Sequence, residues 1–196
     1  MHPTRVVLFL ALTLFACTSA LAQRPGPEFW RKVGCEPFEP RTKLEAIDER
    51  HGIVIVKAFT RITTIEVRGV RIDAVDMREM GGTGRARGIV IQLREEGGRA
   101  DDNRAFVDYE ELEPLLNAID SMVRVDETTT RMPGFEARYK SLGDLEIGVF
   151  RQTRSGTAVI LATGICDRAT QTMTLDDLGK VKAMIQEAKT RLDELK

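Results

Sequence analysis

Two stretches of this chain repeat each other at a fixed offset, and that repeat limits the folds open to it. VDYEELEPLLNAI at 107–119 aligns without a gap on MTLDDLGKVKAMI at 173–185, an offset of 66 residues. Each opens with a residue suited to capping a helix, Asp108 or Thr174. Each carries an acid three positions on, Glu111 or Asp177, able to reach back to free backbone N–H groups. Apolar residues then recur at helical spacing. Leu112, Leu115, Leu116, Ile119, Met122 and Val123 form one stripe. Leu175, Leu178, Val181, Ile185, Ala188, Leu192 and Leu195 form the other. One apolar stripe on an otherwise charged helix is made to lie on a sheet. Pro114 removes a backbone donor six residues past Asp108, so the first helix is expected to start late or bend.

The segments ahead of the two helices also correspond. Phe135, Ala137 and Tyr139 alternate with Glu136, Arg138 and Lys140, a turn at Gly143-Asp144 follows, and Leu145, Ile147 and Val149 give a second strand. Residues 158–162 form a third strand, and 171–173 lead into the helix. In the first half, 65–68, 70–77, 89–93 and 105–107 fill the same roles. An extra helix is expected ahead of them, where Thr42 and Glu45 make a capping box. The reading is an α+β fold: a duplicated unit of antiparallel strands followed by one helix, over about 53–124 and 125–195. Its sheets are partly covered by helices, and each unit's helix is expected to cover part of its own sheet. No Pro/Gly/Ser linker separates the halves, so 41–196 is taken as a single domain, with 23–40 as an N-terminal linker.

Strand–strand–strand–strand–helix, twice, resembles the single-stranded-DNA-binding fold of Whirly-type proteins and the transcriptional coactivators related to them. Residues 135–149 followed by 175–185 carry the likeness, which covers most of 60–195 as a pattern and not as a residue motif. The resemblance implies topology. Proteins of that kind bind nucleic acid with basic and aromatic residues on an open sheet face. Here the outward positions mix signs, Glu66 with Arg68 and Glu136 with Arg138 and Lys140, and aromatics are scarce. No nucleic-acid partner is expected. The chain also resembles small exported bacterial proteins.

The likeness to exported proteins starts at residue 1. Arg5 gives a positive region, VVLFLALTLF at 6–15 a short apolar run, and Ala20-Leu21-Ala22 the small residues ahead of a cleavage point between Ala22 and Gln23. That is the grammar of a signal peptide over 1–22, and the run is too short to span a bilayer as a stable helix. The alternative is a lipobox at Leu14-Phe15-Ala16-Cys17, which would tether the chain to a membrane through a lipidated Cys17. The expected location is periplasmic or secreted. Removing 1–22 leaves 174 residues and takes away only Arg5 among the charges, so 28 basic side chains face 30 acidic ones. Near-neutrality argues against a strong electrostatic nucleic-acid binder. Cys35 and Cys166 remain, and two cysteines in an oxidising compartment invite a disulfide; separate buried thiols are the alternative. A bridge between them would close a loop of about 130 residues, worth about 4–5 kcal/mol in the chain-entropy account.

Candidate sites are few. Gly82, Gly84 and Gly88 precede a strand rather than a helix, so they read as a hairpin loop with Arg85 and Arg87 solvated, and not as a dinucleotide cradle. Glu95, Glu96, Asp101, Asp102 and Asn103 match no calcium loop, and Gly97-Gly98 reads as a hairpin turn. Asp176 and Asp177 suit a helix N-terminus. His51 sits beside Gly52 at the end of the first helix and carries the only imidazole after residue 22. Tyr109 and Tyr139 read as half-buried packing residues, and Phe29-Trp30 as an aromatic pair that folds back or anchors to a partner. No catalytic residue, metal ligand or cofactor is assigned. The expectation is a non-enzymatic envelope protein, a binding or structural module for an unknown envelope protein or small ligand. The alternatives are a small-ligand or lipid carrier and a hydrolase.

Overall fold

The computed structural model describes residues 39–94, 104–125, 129–152, 156–164 and 168–195. In chain order the elements are α1 (Lys43–Asp48), β1 (Ile55–Arg61), β2 (Val70–Glu79), β3 (Arg85–Leu93) and β4 (Arg104–Asp108). A 3-10 turn (Tyr109–Glu111) then runs into α2 (Leu112–Val123). The second unit is β5 (Phe135–Lys140), β6 (Leu145–Gln152), β7 (Gly156–Thr163), β8 (Ala169–Met173) and α3 (Leu175–Asp193). Each set of four strands makes an antiparallel sheet in sequence order, β1-β2-β3-β4 and β5-β6-β7-β8. The class is α+β and the unit is duplicated, as the sequence predicts.

Alternation along the strands sends one face of each sheet inward. Ile72, Ala74, Ile89, Ile91 and Val107 of the first sheet are buried in the same apolar cluster as Leu145, Ile147, Val149, Val159 and Leu161 of the second. The helix stripes complete it: Leu112, Leu116 and Ile119 from α2, Leu178, Val181 and Ile185 from α3. The two units therefore share one core. The expectation that each helix covers part of its own sheet holds for α3, which touches β7, but α3 lies chiefly across β2 and β3 of the first sheet, and α2 packs on α3 and reaches β5 of the second. The helices are exchanged because the inner faces of both sheets are apolar, and a helix between them finds the neighbouring unit's face as readily as its own.

The other face of the first sheet has its own cover. Leu44 and Ile47 of α1 pack on Val75, Met77, Ala86 and Phe106. A Cβ at Gly88 would stand 2.1 Å from the Val107 carbonyl oxygen and 2.8 Å from Leu44 Cδ1, so only glycine lets α1 settle there. Thr42 Oγ1 accepts from Glu45 N–H, and the Glu45 carboxylate accepts from Thr42 N–H, the capping box read from sequence. Asp108 adds a cap from outside the helix: its carboxylate accepts from Lys43 N–H at 2.7 Å and Leu44 N–H at 3.1 Å. That overturns its sequence assignment. Asp108 makes no side-chain cap on its own helix, and Glu111 Oε1 accepts from Leu142 N–H instead of reaching back. Pro114 bears out its expected effect, since the regular helix opens only at Leu112. Thr174 and Asp177 do form the predicted capping box on α3.

Two further expectations are corrected. Residues 65–68 are not a strand. Val70 N–H donates to Val67 O at 3.0 Å around Gly69, whose φ of +76° is left-handed, and this tight turn uses up the segment. The first strand is β1 instead, upstream, with most of its length exposed. Arg85 and Arg87 are not solvated loop residues but part of β3. The hairpin at Gly143-Asp144 forms as expected, with Asp144 at φ +64°. It docks on the first unit, where Phe106 N–H donates to Gly143 O at 3.0 Å. A Cβ at Gly143 would meet the Phe106 carbonyl oxygen at 2.1 Å.

Truncating Ile119 or Ile185, both fully buried, to alanine should each lower stability by about 2–5 kcal/mol in denaturant unfolding. Expressed separately, neither half should unfold cooperatively, because helix exchange leaves each sheet without its cover. Either half melting as sharply as the whole chain would refute the shared core.

Candidate functional site

Where the β1–β2 connection meets the second unit, two open hollows lie side by side. One, of about 870 Å³, is bounded by Arg68, Arg94, Thr170, Gln171, Thr172 and Asp177. The other, of about 590 Å³, is bounded by Arg61, Thr63, Glu66, Arg71 and Arg94. Val67, Arg68, Gly69 and Arg94 form the wall they share, and Met173 and Met184 contribute apolar floor. Together they make a groove at the seam between units. A Cβ at Gly69 would meet the backbone oxygen of Arg94 at 3.3 Å and the tip of the Gln171 side chain at 2.9 Å, a close approach on top of the left-handed φ the turn requires. The Arg94 N–H closes the same corner by donating to Gly69 O at 2.8 Å.

The charges on the rim are mostly arginine. Asp73 accepts from Arg61 Nε at 3.4 Å and lies 2.6 Å from Arg71 Nη2, which holds both guanidiniums at one end of the groove. Arg71 Nε is buried with no hydrogen-bond partner among the described residues. Asp177 at the other end is engaged by Lys180 and Thr174, and those hydrogen bonds hold its carboxyl below the usual range. Arg68 and Arg94 stand between these ends. Four guanidiniums therefore stand around one groove, with Glu66 and Asp177 on its rim and Asp73 paired to Arg61 and Arg71. Arginine presents planar, permanently charged donor forks, which match carboxylate and phosphate oxygens.

Two other polar clusters serve the fold. Asp76, buried in β2, accepts from Arg78 at 2.9 Å and from Arg85 at 3.0 Å. Tyr109 donates its hydroxyl to Asp193, Lys189 pairs with the same carboxylate at 3.1 Å, and the Arg87 guanidinium lies 5.0 Å from the Tyr109 ring centre. This joins the turn before α2 to the end of α3. Tyr109 and Tyr139 are half-buried against the core, as predicted.

The residues singled out from sequence do not gather into one site. His51 is exposed. Cys17, Ala22, Gln23, Phe29, Trp30, Cys35, Cys166, and the acids 95–96 and 101–102 with Asn103 lie outside the described residues. Among the described residues no group of three His, Cys, Asp or Glu is placed to hold a metal ion, and no helix is long and apolar enough to cross a membrane. Arg61, Arg68, Arg71 and Arg94 went unnoticed as a group because they belong to three segments that only folding unites. The one local sign was Gly69 beside Arg68. Set against family models, curated proteins and solved structures, the chain matches none of them.

Asp76 should leave a mark on the pH dependence of stability. Burial pushes its carboxyl up, but hydrogen bonds from Arg85 and Arg78 outweigh that and hold it below the usual range. A depressed acid stabilises the fold above its unfolded pKa, about 3.9, and that contribution is lost as pH falls through the lower, folded value. Asp76→Asn should therefore be less stable than the parent at neutral pH, with the gap narrowing below about pH 4 in urea unfolding. A gap that does not change with pH would show that Asp76 is not the ionised partner of the two arginines.

Proposed function

We propose that the chain is an exported, non-enzymatic binding module, and that its binding site is the arginine-lined groove between the two units, which takes a small ligand bearing a carboxylate or phosphate. One observation carries this reading: Arg61, Arg68, Arg71 and Arg94, from three separate segments, converge on one groove with a partly apolar floor. Ligand sites favour such seams, where a few convergent polar groups stand over apolar lining. Guanidinium chemistry also favours recognition over catalysis, because an arginine neither gives up nor takes a proton at any working pH. The near balance of charge supports a small anion over a polyanion. A nucleic-acid tract would need a broad basic surface, whereas a single anionic group needs only a local one. Export rests on the three-part pattern of residues 1–22.

Thermal shift and calorimetry with citrate and inorganic phosphate test the site. At least one of the two should bind, and Arg94→Ala should weaken it about 10- to 100-fold, the range for losing a charge-assisted hydrogen bond. Exposed Lys43, across the fold on α1, supplies the control variant Lys43→Ala, which should bind as the parent does. Binding that Arg94→Ala and Arg68→Ala leave untouched would dismiss the groove. The location is tested separately by N-terminal sequencing of protein recovered from the envelope, expected to begin at Gln23. A diacylated Cys17 would make it a tethered lipoprotein.

A further inference from the structure

Among the described residues β1 is the outer strand of the first sheet, with β2 as its neighbour. It runs for seven residues without proline, glycine or bulge. Val56 and Phe59 are exposed on it, and Val54 and Met80 are exposed beside it, Phe59 at 61% and Val54 at 67%. Long, straight, apolar edges are what soluble proteins usually guard against, since their free N–H and C=O groups are a template for another strand.

The free groups can be identified. Met80 N–H donates to Val54 O, and Ile62 N–H donates to Ile72 O. In an antiparallel ladder this phase alternates, so the backbone groups of residues 54, 56, 58, 60 and 62 point to β2. Those of Ile55, Lys57, Phe59 and Arg61 point outward.

Only some strands fit that edge, and charge then selects among them. A second β1 could pair antiparallel in three long registers that match outward groups to outward groups. Centred on residue 57, Lys57 faces Lys57. Centred on 59, Lys57 faces Arg61. Centred on 58, Lys57 faces Phe59, Ile55 faces Arg61 and Ala58 faces Ala58. The last register opposes no like charges, and every outward residue exchanges both backbone bonds. Directly opposed like charges are destabilising, and a cation opposite an aromatic ring is favourable. Lys57 is also offset by Asp48, 3.5 Å away on α1.

We propose that two copies of this chain associate about a two-fold axis through β1, centred on Ala58, joining their first sheets into one continuous sheet. An extended segment of another protein would need its own register, whereas a second copy brings one with no like charges directly opposed. The exposed side chains of Phe59 and Val56 then become interface.

Cross-linking and charge exchange test this on the full chain. Ala58 lies at a non-hydrogen-bonded position, where facing Cα atoms stand about 4.5 Å apart, within disulfide range. Under mild oxidation Ala58→Cys should yield a dimer whose mass-mapped bridge joins 58 to 58. Thr60→Cys should not, since its two copies lie about four residues apart along the strands, on the order of 13 Å. Sedimentation should show a dimer for the parent. Phe59→Lys, which sets a lysine opposite Lys57, should raise the dissociation constant about tenfold or more. Adding Lys57→Glu to Phe59→Lys should restore association. A parent that stays monomeric at tens of micromolar overturns the proposal. So does a bridge that forms at 60 and not at 58, or a double variant no tighter than Phe59→Lys alone. Association only with an added extended peptide would assign the edge to a different partner and likewise overturn it.

Discussion

A four-stranded sheet with an apolar inner face needs something on that face, and the described residues form two such sheets and two long helices. The helices join the core that the two sheets share, α3 chiefly against β2 and β3 of the first sheet and α2 against α3 and β5. Much of the rest depends on that arrangement. The inner faces of both sheets share one core, so the seam between the units becomes a permanent feature of the surface. Backbone approaches hold the seam closed. Phe106 bonds to Gly143, and Gly69 admits Gln171, at distances where a methyl group would collide. Gly143 acts through missing bulk, Gly52 through its left-handed backbone alone, and Gly69, also left-handed, through both.

Buried polar groups follow the same logic of satisfying partners across the unit boundaries and between sheet faces. Asp108 ends a strand and caps a helix that precedes it by 65 residues, so α1 owes part of its N-terminal hydrogen bonding to β4 while its apolar anchor spans β2, β3 and β4. Asp76 would be costly in β2 without Arg78 and Arg85 beside it. The outer face of the second sheet meets the demand differently. With open space above Gly148, Glu146 draws Lys140 and Arg168 together over the strands, at an exposure where such pairs add little stability but keep a sheet face soluble.

The groove and the β1 edge are both by-products of this packing. Pulling residues 65–69 into a tight turn, instead of a strand, leaves β1 alone at the sheet margin and exposes its outward backbone groups. The same turn lifts Arg68 toward Arg94 and the start of α3. One local conformational choice thus shapes both the candidate ligand site and the candidate contact between copies, and Arg61 of β1 borders both.

Periodicity by itself determined the element types, the duplication, the capping boxes of α1 and α3, the delayed start of α2 and the stripes of residues that form the core. Those features are local, so hydrophobic spacing and capping chemistry write them directly into the chain. Sequence failed at β1, where IVKAFTR at 55–61 lacks a regular alternation, and at 65–68, where IEVR alternates but forms a turn; which segment pairs with β2 depends on where the turn closes. It also misassigned Asp108 and Glu111, whose hydrogen-bond partners are distant in sequence. Tertiary structure alone decided the exchange of helices, the gathering of four arginines at the seam and the exposed edge, because each joins residues that no local pattern relates. A repeat fixes what each unit is made of, but which surface covers which is settled by competition among faces that are equally apolar.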